Sequence, residues 1–266
     1  MQTVDILGVS FHALTVEETL CVLESYLYTD KNHTVVTPNP EGVMQSRRNP
    51  SFQAALNGAD LRLADGIGIT LAARILKMPL PERVRGVDIT FAFIERMAGK
   101  FSVTYESASQ TGNLLMAHAL AEKPKQQRIT AYFLGGAPGI AEAAKSEMQS
   151  RYPALIVLGT HHGFFSAEDE PHIIAEINRL SPDILLVCMG MPRAELWAAK
   201  NRDIDTRITL CVGGTIDIMA GNVKLAPSFL RKIGLEWLYR LVKQPSRIMR
   251  MLDIPRFVLA VLFSKR

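Results

Sequence analysis

Short apolar runs alternate with glycine turns and helical segments along most of this 266-residue chain. The runs at 184–190 (ILLVCMG) and 208–213 (ITLCVG) are apolar almost throughout, which is typical of strands buried on both faces of a sheet. Each run ends in a glycine turn, and apolar residues then recur at helical spacing. This alternation predicts an α/β fold, a Rossmann-like parallel sheet with helices on both faces.

The stretch 59–76 (ADLRLADGIGITLAARIL) has this pattern and adds an acidic residue. Leucines alternate with polar neighbours, Gly66 and Gly68 permit a tight turn, and helical spacing follows. Asp65 is therefore predicted at the C-terminal end of a strand, the edge where open α/β sheets bind ligands. Its carboxylate could be a base, accept a hydrogen bond from a substrate hydroxyl, or cap the next helix, and the pattern leaves these roles open.

Other predicted strand ends carry residues that suit ligand binding. The strand at 33–37 runs into TPNPEG, so Thr37 and Asn39 are either turn residues or substrate contacts. Glu195 is predicted in the first turn of a helix, where it either complements the helix dipole or holds a ribose or base. Backbone N–H groups of glycine turns can bind phosphate, and such turns contain Gly135, Gly136, Gly190, Gly213 and Gly214.

Two cofactor-dependent alternatives find little support in the motifs. An NAD-type oxidoreductase would need GxGxxG, but Leu71 stands where the third glycine of the first turn should fall. Among potential metal ligands, His161 and His162 are adjacent and point opposite ways on an extended chain. The DxD at 203–205 is predicted as a solvated turn. We therefore expect neither a cofactor nor a metal.

Charge is divided unevenly along the chain. Residues 224–266 contain ten Lys or Arg residues against two acids, a net charge of +8, whereas residues 1–223 carry −4. We expect a catalytic domain at 1–223 and a basic C-terminal helical appendage at 224–266 that associates with an anionic membrane surface, aided by the apolar run FVLAVLF (257–263). Three scattered cysteines without a CxxC pair fit a reducing cytoplasm, and we expect neither a signal peptide nor a membrane-spanning segment.

Several motifs occur together and in order between residues 5 and 256. They are TPNPE (37–41), ADGIG (64–68), ERVRGVD (82–88), FLGGAPG (133–139), HGFF (162–165), GMPRAELW (190–197), VGGTID (212–217), AGNVKLAP (220–227), and GLEWLYRL with QPSRIMR (234–250). With this set the chain resembles the WecG/TagA/CpsF glycosyltransferases. It departs from the family pattern at Ala194, where Gln is frequent, at Leu225, where Arg is usual, and in a longer segment 100–128.

The resemblance implies an inverting, metal-independent transfer of a sugar from a UDP-sugar to an undecaprenyl-diphosphate-linked sugar in cell-surface polysaccharide assembly. The donated sugar is expected to be N-acetylmannosamine, as in teichoic acid linkage units, and the alternative is UDP-glucose-dependent exopolysaccharide synthesis. The enzyme would act at the cytoplasmic face of the membrane as a peripheral protein. Donor, lipid-linked acceptor and membrane are the expected partners, nucleic acid is not, and a homo-oligomer stays open.

The resemblance also implies roles for single residues. Asp65 would be the general base, and the sugar or acceptor pocket would be lined by Thr37, Asn39, Arg83 and Asp88. Glu195 and the glycine turns would contact UDP, and the tail would close over its diphosphate through Arg240, Arg247 and Arg250. Without a metal, arginines and backbone amides must supply the positive charge that the UDP leaving group needs.

Overall fold

The computed structural model describes residues 1–98, 128–227, 230, 236–243 and 252–264, with the side chains of residues 240 and 243 outside that description. Two short N-terminal strands are followed by the strands of a larger sheet. In chain order they are β1 (Thr3–Ile6), β2 (Val9–His12), β3 (His33–Val36), β4 (Leu61–Arg62), β5 (Ile129–Gly135), β6 (Leu155–His161), β7 (Ile184–Cys188) and β8 (Ile208–Cys211).

The larger sheet is parallel throughout and has the strand order β4-β3-β8-β7-β5-β6. The parallel α/β fold predicted from the alternating pattern is therefore confirmed. β1 and β2 form a separate antiparallel hairpin that the sequence pattern did not predict. Its turn lies at Leu7 and Gly8, which both have positive φ, and Leu-Gly is a weak hairpin signal compared with Asn-Gly.

Helices cover both faces of the sheet. They are α1 (Val16–Tyr26), α2 (Pro40–Ser46), α3 (Pro50–Gly58), α4 (Ile67–Ile75), α5 (Gly86–Met97), α6 (Ile140–Arg151), α7 (Glu170–Leu180), α8 (Arg193–Lys200), α9 (Thr215–Met219), α10 (Glu236–Lys243) and α11 (Asp253–Phe263). Successive strand residues enter different buried clusters, as Leu186 and Val187 do, because side chains alternate across a strand. Both faces of the sheet are thus buried.

Local capping explains where the first helices begin and end. α1 starts with the capping box that the spacing Thr15-x-x-Glu18 predicts, in which the Glu18 N–H donates to the Thr15 hydroxyl and the Thr15 N–H donates to the Glu18 carboxylate. Helical spacing over roughly 41–57 predicts a single helix, and this prediction is wrong, because the segment is divided into α2 and α3. Asn49 has extended backbone and caps α3, and Pro50 occupies its first position, where a missing N–H costs nothing.

The strand order contains two places where the direction of chain progression reverses. The chain passes from β3 to the edge strand β4, and β8 lies on the other side of β3. In the same way it passes from β5 to the opposite edge strand β6, and β7 lies on the other side of β5. In open parallel sheets such reversals leave a crevice beyond the C-terminal ends of the strands, and ligands bind there. The fold therefore offers two crevices on one edge, at β3/β8 and at β5/β7.

The C-terminal helix α11 packs on the body beside the first crevice. It contacts α2 and α4, and Phe257 and Val261 are fully buried in the same cluster as those helices. Asp253 at its start forms an ion pair with Arg48, whose Nη2 lies 2.5 Å from Oδ1. The predicted C-terminal helix is confirmed, although two of the seven residues of the FVLAVLF run, Phe257 and Val261, are buried in the core. No helix among the described residues is both long and apolar enough to cross a membrane.

Candidate functional site

Asp65 lies just beyond β4 with a partly exposed side chain. The N-cap of α4 is Gly66, and no side chain among the described residues caps this helix, so the capping role left open for Asp65 is wrong. Its Oδ2 instead lies 3.3 Å from the backbone N–H of Gly86, which donates to it from the start of α5. This contact orients the carboxylate and leaves it accessible at the C-terminal edge of the sheet.

Thr37 and Asn39 follow β3, the strand next to β4. The Thr37 hydroxyl donates to the Cys211 carbonyl at 3.3 Å, which joins the ends of β3 and β8. Asn39 is the N-cap of α2 and accepts from the Gly42 N–H at 2.9 Å, so its side chain has a local structural role at the start of this helix. Its substrate contact stays a prediction.

The loop that precedes α5 lies beside this crevice and is bonded to the segment that follows β4. Its Val84 N–H donates to the Ala64 carbonyl at 3.1 Å, so Arg83 lies in a segment bonded to the residue before Asp65. Gly86 then approaches Thr37 so closely that a Cβ at position 86 would lie 2.8 Å from the Thr37 hydroxyl oxygen. The first-crevice loops therefore bring Thr37, Asn39, Arg83 and Asp65 to one place.

Asp88 forms an ion pair with Arg85, a residue that was not among the predicted site residues. Its Oδ2 lies 2.8 Å from Nη1 of Arg85, whose side chain is only 5% exposed. Nη2 of Arg85 lies 2.5 Å from the carboxylate of Glu236 on α10. The spacing of Arg85 and Asp88, three residues apart at a helix start, was the available local signal. The pairing with Glu236 spans so much sequence that no local pattern could predict it.

The second crevice is formed by glycine turns. Gly135 ends β5 with φ 147°, and a Cβ there would lie 2.5 Å from the backbone of Cys188 on β7. Only glycine permits that approach, which brings the two strand ends together. A Cβ at Gly190 or Gly213 would meet no described atom within 4 Å, so space is open above these turns. Gly136 and Gly214 adjoin the same edge, and their predicted UDP contacts stay predictions.

Glu195 in the first turn of α8 is buried, with 3% of its surface exposed. Its Oε2 receives no hydrogen bond from any described residue. Burial raises the pKa of this carboxyl from 4.5 to about 7, because the charged form loses its hydration. A buried carboxyl oxygen that no described residue bonds, in the helix that follows β7, suits a ligand hydroxyl or ring N–H.

The raised pKa of Glu195 predicts a pH-dependent loss of stability. The folded protein holds this proton up to pH of about 7, whereas the unfolded carboxyl releases it near 4.5, so the free energy of unfolding falls between these pH values and stays lower above them. We expect Glu195→Gln to lack this fall, which amounts to about 3 kcal/mol at most. Urea unfolding from pH 4.5 to 8 measures it.

The exposed Glu147 on α6 provides the control for this prediction. Glu147→Gln should retain the wild-type dependence of the unfolding free energy on pH, because no buried carboxyl is removed. The burial argument is wrong if Glu195→Gln and wild-type have parallel stability profiles across this range.

The residues considered as metal ligands in the sequence are the DxD at 203–205 and the histidine pair, and the DxD lies on the opposite edge of the sheet from Asp65. Asp203 and Asp205 precede β8, at the N-terminal edge of the sheet, where Asp205 contacts the Ser181 hydroxyl; the turn predicted for this DxD is confirmed. Within the described residues no group of three or more His, Cys, Asp or Glu side chains could hold a metal ion. Nδ1 of His161 lies 2.8 Å from the carbonyl oxygen of its neighbour His162, and the His161 ring meets Phe165 edge-on. The two histidine rings lie 4.5 Å apart, so the expectation that they point opposite ways is wrong.

Comparison with known proteins identifies the family. The model of the glycosyl transferase WecG/TagA/CpsF family matches residues 4–111 and 109–266. The chain belongs to this family. A Bacillus spizizenii protein named N-acetylglucosaminyldiphosphoundecaprenol N-acetyl-beta-D-mannosaminyltransferase is 30% identical over 243 residues, 91% of this chain and 83% of its own length. A protein of the same name from Staphylococcus aureus strain MRSA252 is 29% identical over 266 residues, 99% of this chain and 93% of its own.

The WecG/TagA/CpsF resemblance inferred from the motifs is thus confirmed, and the chain is a glycosyltransferase. The oxidoreductase alternative is left without support.

The structure describes little of the three arginines predicted to contact UDP. Arg240 lies on α10 with its side chain undescribed, and Arg247 and Arg250 lie outside the described residues. The longer segment 100–128 also lies outside them, apart from residue 128.

Proposed function

We propose that this chain transfers N-acetylmannosamine from a UDP-sugar to N-acetylglucosamine carried on undecaprenyl diphosphate, with inversion at the anomeric carbon. The observation that carries the proposal is the accessible Asp65 carboxylate at the C-terminal edge of a parallel sheet, beside open glycine turns on the same edge. The names of the Bacillus and Staphylococcus relatives support the sugar and the acceptor.

The two crevices suit the two substrates. The acceptor sugar occupies the β3/β8 crevice, where Thr37, Asn39, Arg83 and Asp88 contact it, and Asp65 takes the proton from its attacking hydroxyl. UDP lies over the glycine turns of the β5/β7 crevice, with ribose or base held by Glu195. A single carboxylate suffices for inversion, because the hydroxyl oxygen displaces UDP in one step and its proton passes to the base.

The leaving group requires positive charge that the protein itself supplies. Charge develops on the diphosphate as the glycosidic bond breaks, and preoriented donors stabilise it most effectively. We assign this work to glycine-turn N–H groups and to Arg240, Arg247 and Arg250, since the guanidinium fork binds phosphate oxygens bidentately. No divalent cation takes part in this mechanism.

Product analysis with purified protein tests the proposal. The chain is incubated with a panel of UDP-sugars and a short-chain lipid-diphosphate-linked N-acetylglucosamine, with and without EDTA. We expect transfer of N-acetylmannosamine, the β-anomer as product, and equal rates with chelator. Preference for UDP-glucose would assign the chain to the exopolysaccharide alternative, and loss of activity in EDTA that Mg²⁺ or Mn²⁺ restores would overturn the metal-free mechanism.

We further propose that the protein is peripheral on the inner face of the cell membrane, where its lipid-linked acceptor lies, and that 224–266 acts as the appendage that attaches it. α11 turns four apolar side chains outward, namely Val258, Leu259, Leu262 and Phe263. The contacting helix α4 carries Leu71, which is also exposed. An apolar face within a segment of net charge +8 suits an anionic lipid surface.

Substitution of the exposed leucines tests membrane attachment. Deleting the helix would also remove Phe257 and Val261 from the core, so point variants are the cleaner choice. We expect Leu259→Gln with Leu262→Gln to lower binding to anionic vesicles by about tenfold, because lost apolar burial of about 1.4 kcal/mol has that effect. Co-sedimentation measures binding, which should also weaken with salt.

Phe164 supplies the control, because it is exposed on the loop after β6, the strand at the opposite end of the sheet from β4. Phe164→Gln should leave vesicle binding unchanged. Equal loss in both variants would mean that general surface hydrophobicity causes binding, and unchanged binding of the leucine variant would remove α11 from the membrane surface.

A further inference from the structure

Arg85 is a buried cation between two carboxylates from different parts of the chain. Its side chain is 5% exposed, and its two terminal nitrogens lie 2.8 Å from Asp88 and 2.5 Å from Glu236. Asp88 belongs to the first turn of α5, whereas Glu236 begins the tail helix α10 and is itself only 16% exposed. The pair therefore fastens α10 to the loop of the first crevice.

The position of Arg85 is unfavourable for a cation unless these carboxylates are present. Arg85 is the N-cap residue of α5, and the partial positive charge of a helix N-terminus repels a guanidinium. A buried charge without a partner is costly, so Arg85 holds Glu236 strongly when α10 is docked. Nη1 of Arg85 donates a hydrogen bond to Asp88, whereas Nη2 contacts Glu236 as an ion pair, so the two terminal nitrogens of the guanidinium serve two different carboxylates.

The same residue adjoins the contact that orients the proposed base. Gly86, directly after Arg85, donates its N–H to Asp65 at 3.3 Å and packs against Thr37. On α10, position 240 lies four residues after Glu236, so the two positions share one face of the helix, one turn apart. The ion pair therefore fixes the tail helix and the base-holding loop relative to each other.

We propose that the Arg85–Glu236 ion pair is a positioning device that couples docking of the tail helix to the catalytic edge. This inference rests on the proposed function, which assigns Arg240 of α10 to the UDP leaving group and Asp65 to the base. Arg85 and Glu236 touch no reacting atom in this scheme. They hold α10 against the loop before α5.

Glu236→Gln tests the device, because it keeps the shape of the side chain and removes its charge. We expect kcat/KM for the UDP-sugar to fall by about 10- to 100-fold, with most of the loss in KM for the donor, because a tail that docks less often binds UDP less often. Trp237 gives a second readout beside the ion pair. Of the two tryptophans Trp197 is buried, so iodide quenching reports mainly Trp237, and it should increase in the variant.

Arg96 offers a matched control at the other end of α5. It is 4% exposed and pairs with Glu17 and with Glu24, whose side chain is 14% exposed, comparable with Glu236. Glu24→Gln makes the same chemical change at the same burial but away from the crevice. We expect it to lower the melting temperature while leaving donor KM and iodide quenching unchanged.

The outcomes separate the device from the proposed function. If wild-type transfers sugar and Glu236→Gln matches it in donor KM and in quenching, the device is wrong and the function stands. If wild-type transfers none of the tested sugars but quenching rises only in Glu236→Gln, the tail contact stands and the function fails. If Glu236→Gln and Glu24→Gln lower kcat/KM for the UDP-sugar equally, Arg85 has only a structural role.

Discussion

Asp65→Asn is expected to lower the rate of sugar transfer by about 10²- to 10⁴-fold, the range typical of a lost general base. The amide cannot take the proton of the attacking hydroxyl. Its oxygen can still accept the Gly86 N–H, so the loop before α5 should keep its position. We therefore expect the affinity for UDP, measured by calorimetry, and the melting temperature to stay near wild-type values. Only the rate of single-turnover transfer should fall.

Asp60 is the matched control, because it is a carboxylate at the start of the same strand, on the opposite edge of the sheet. Its Oδ2 accepts the Thr34 N–H at 2.9 Å. Asp60→Asn should transfer sugar at close to the wild-type rate. Turnover of Asp65→Asn within a factor of a few of wild-type would mean that another group, or solvent, accepts the proton.

The features predicted well from sequence are those set by local pattern. The apolar runs at 184–190 and 208–213 contain β7 and β8, which are buried on both faces. A central strand of a parallel sheet must be apolar on each side, so the sequence pattern indicates it directly. Asp65 was placed correctly at a strand end, because a glycine turn and a helical pattern follow it immediately. In a parallel sheet every strand end of this kind falls on one edge, so the gathering of candidate residues there follows from topology.

The features that sequence did not predict depend on contacts distant along the chain. Helical periodicity continues across Asn49 and Pro50, and only their cap geometry divides α2 from α3. Arg83 was selected from ERVRGVD, whereas the more deeply buried arginine is Arg85, whose second anionic partner comes from the tail. The burial of Glu195 also depends on the packing of α8 against the sheet, and its sequence neighbours carry no sign of it.

Loss of the tail arginines is expected to have the second large effect. Combined replacement of Arg240, Arg247 and Arg250 by Ala should lower transfer by about 10²-fold or more, because removing a single donor to a developing anion commonly costs that much. The acceptor should be a soluble short-chain lipid diphosphate, so that membrane attachment does not enter the rate. Lysine at the three positions should restore only part of the activity, because an ammonium group lacks the bidentate fork.

Arg256 separates the specific effect from a general loss of basic charge. It lies on α11, is largely exposed, and pairs with Asp253 at 3.2 Å, the same carboxylate that Arg48 contacts. Arg256→Ala should weaken vesicle binding through the lost charge and leave transfer to the soluble acceptor unchanged. If the triple variant also transfers sugar normally to that acceptor, the tail contributes nothing to leaving-group charge. The glycine turns at β5 and β7 would then have to bind the diphosphate alone, and the appendage would serve only to hold the enzyme at the membrane.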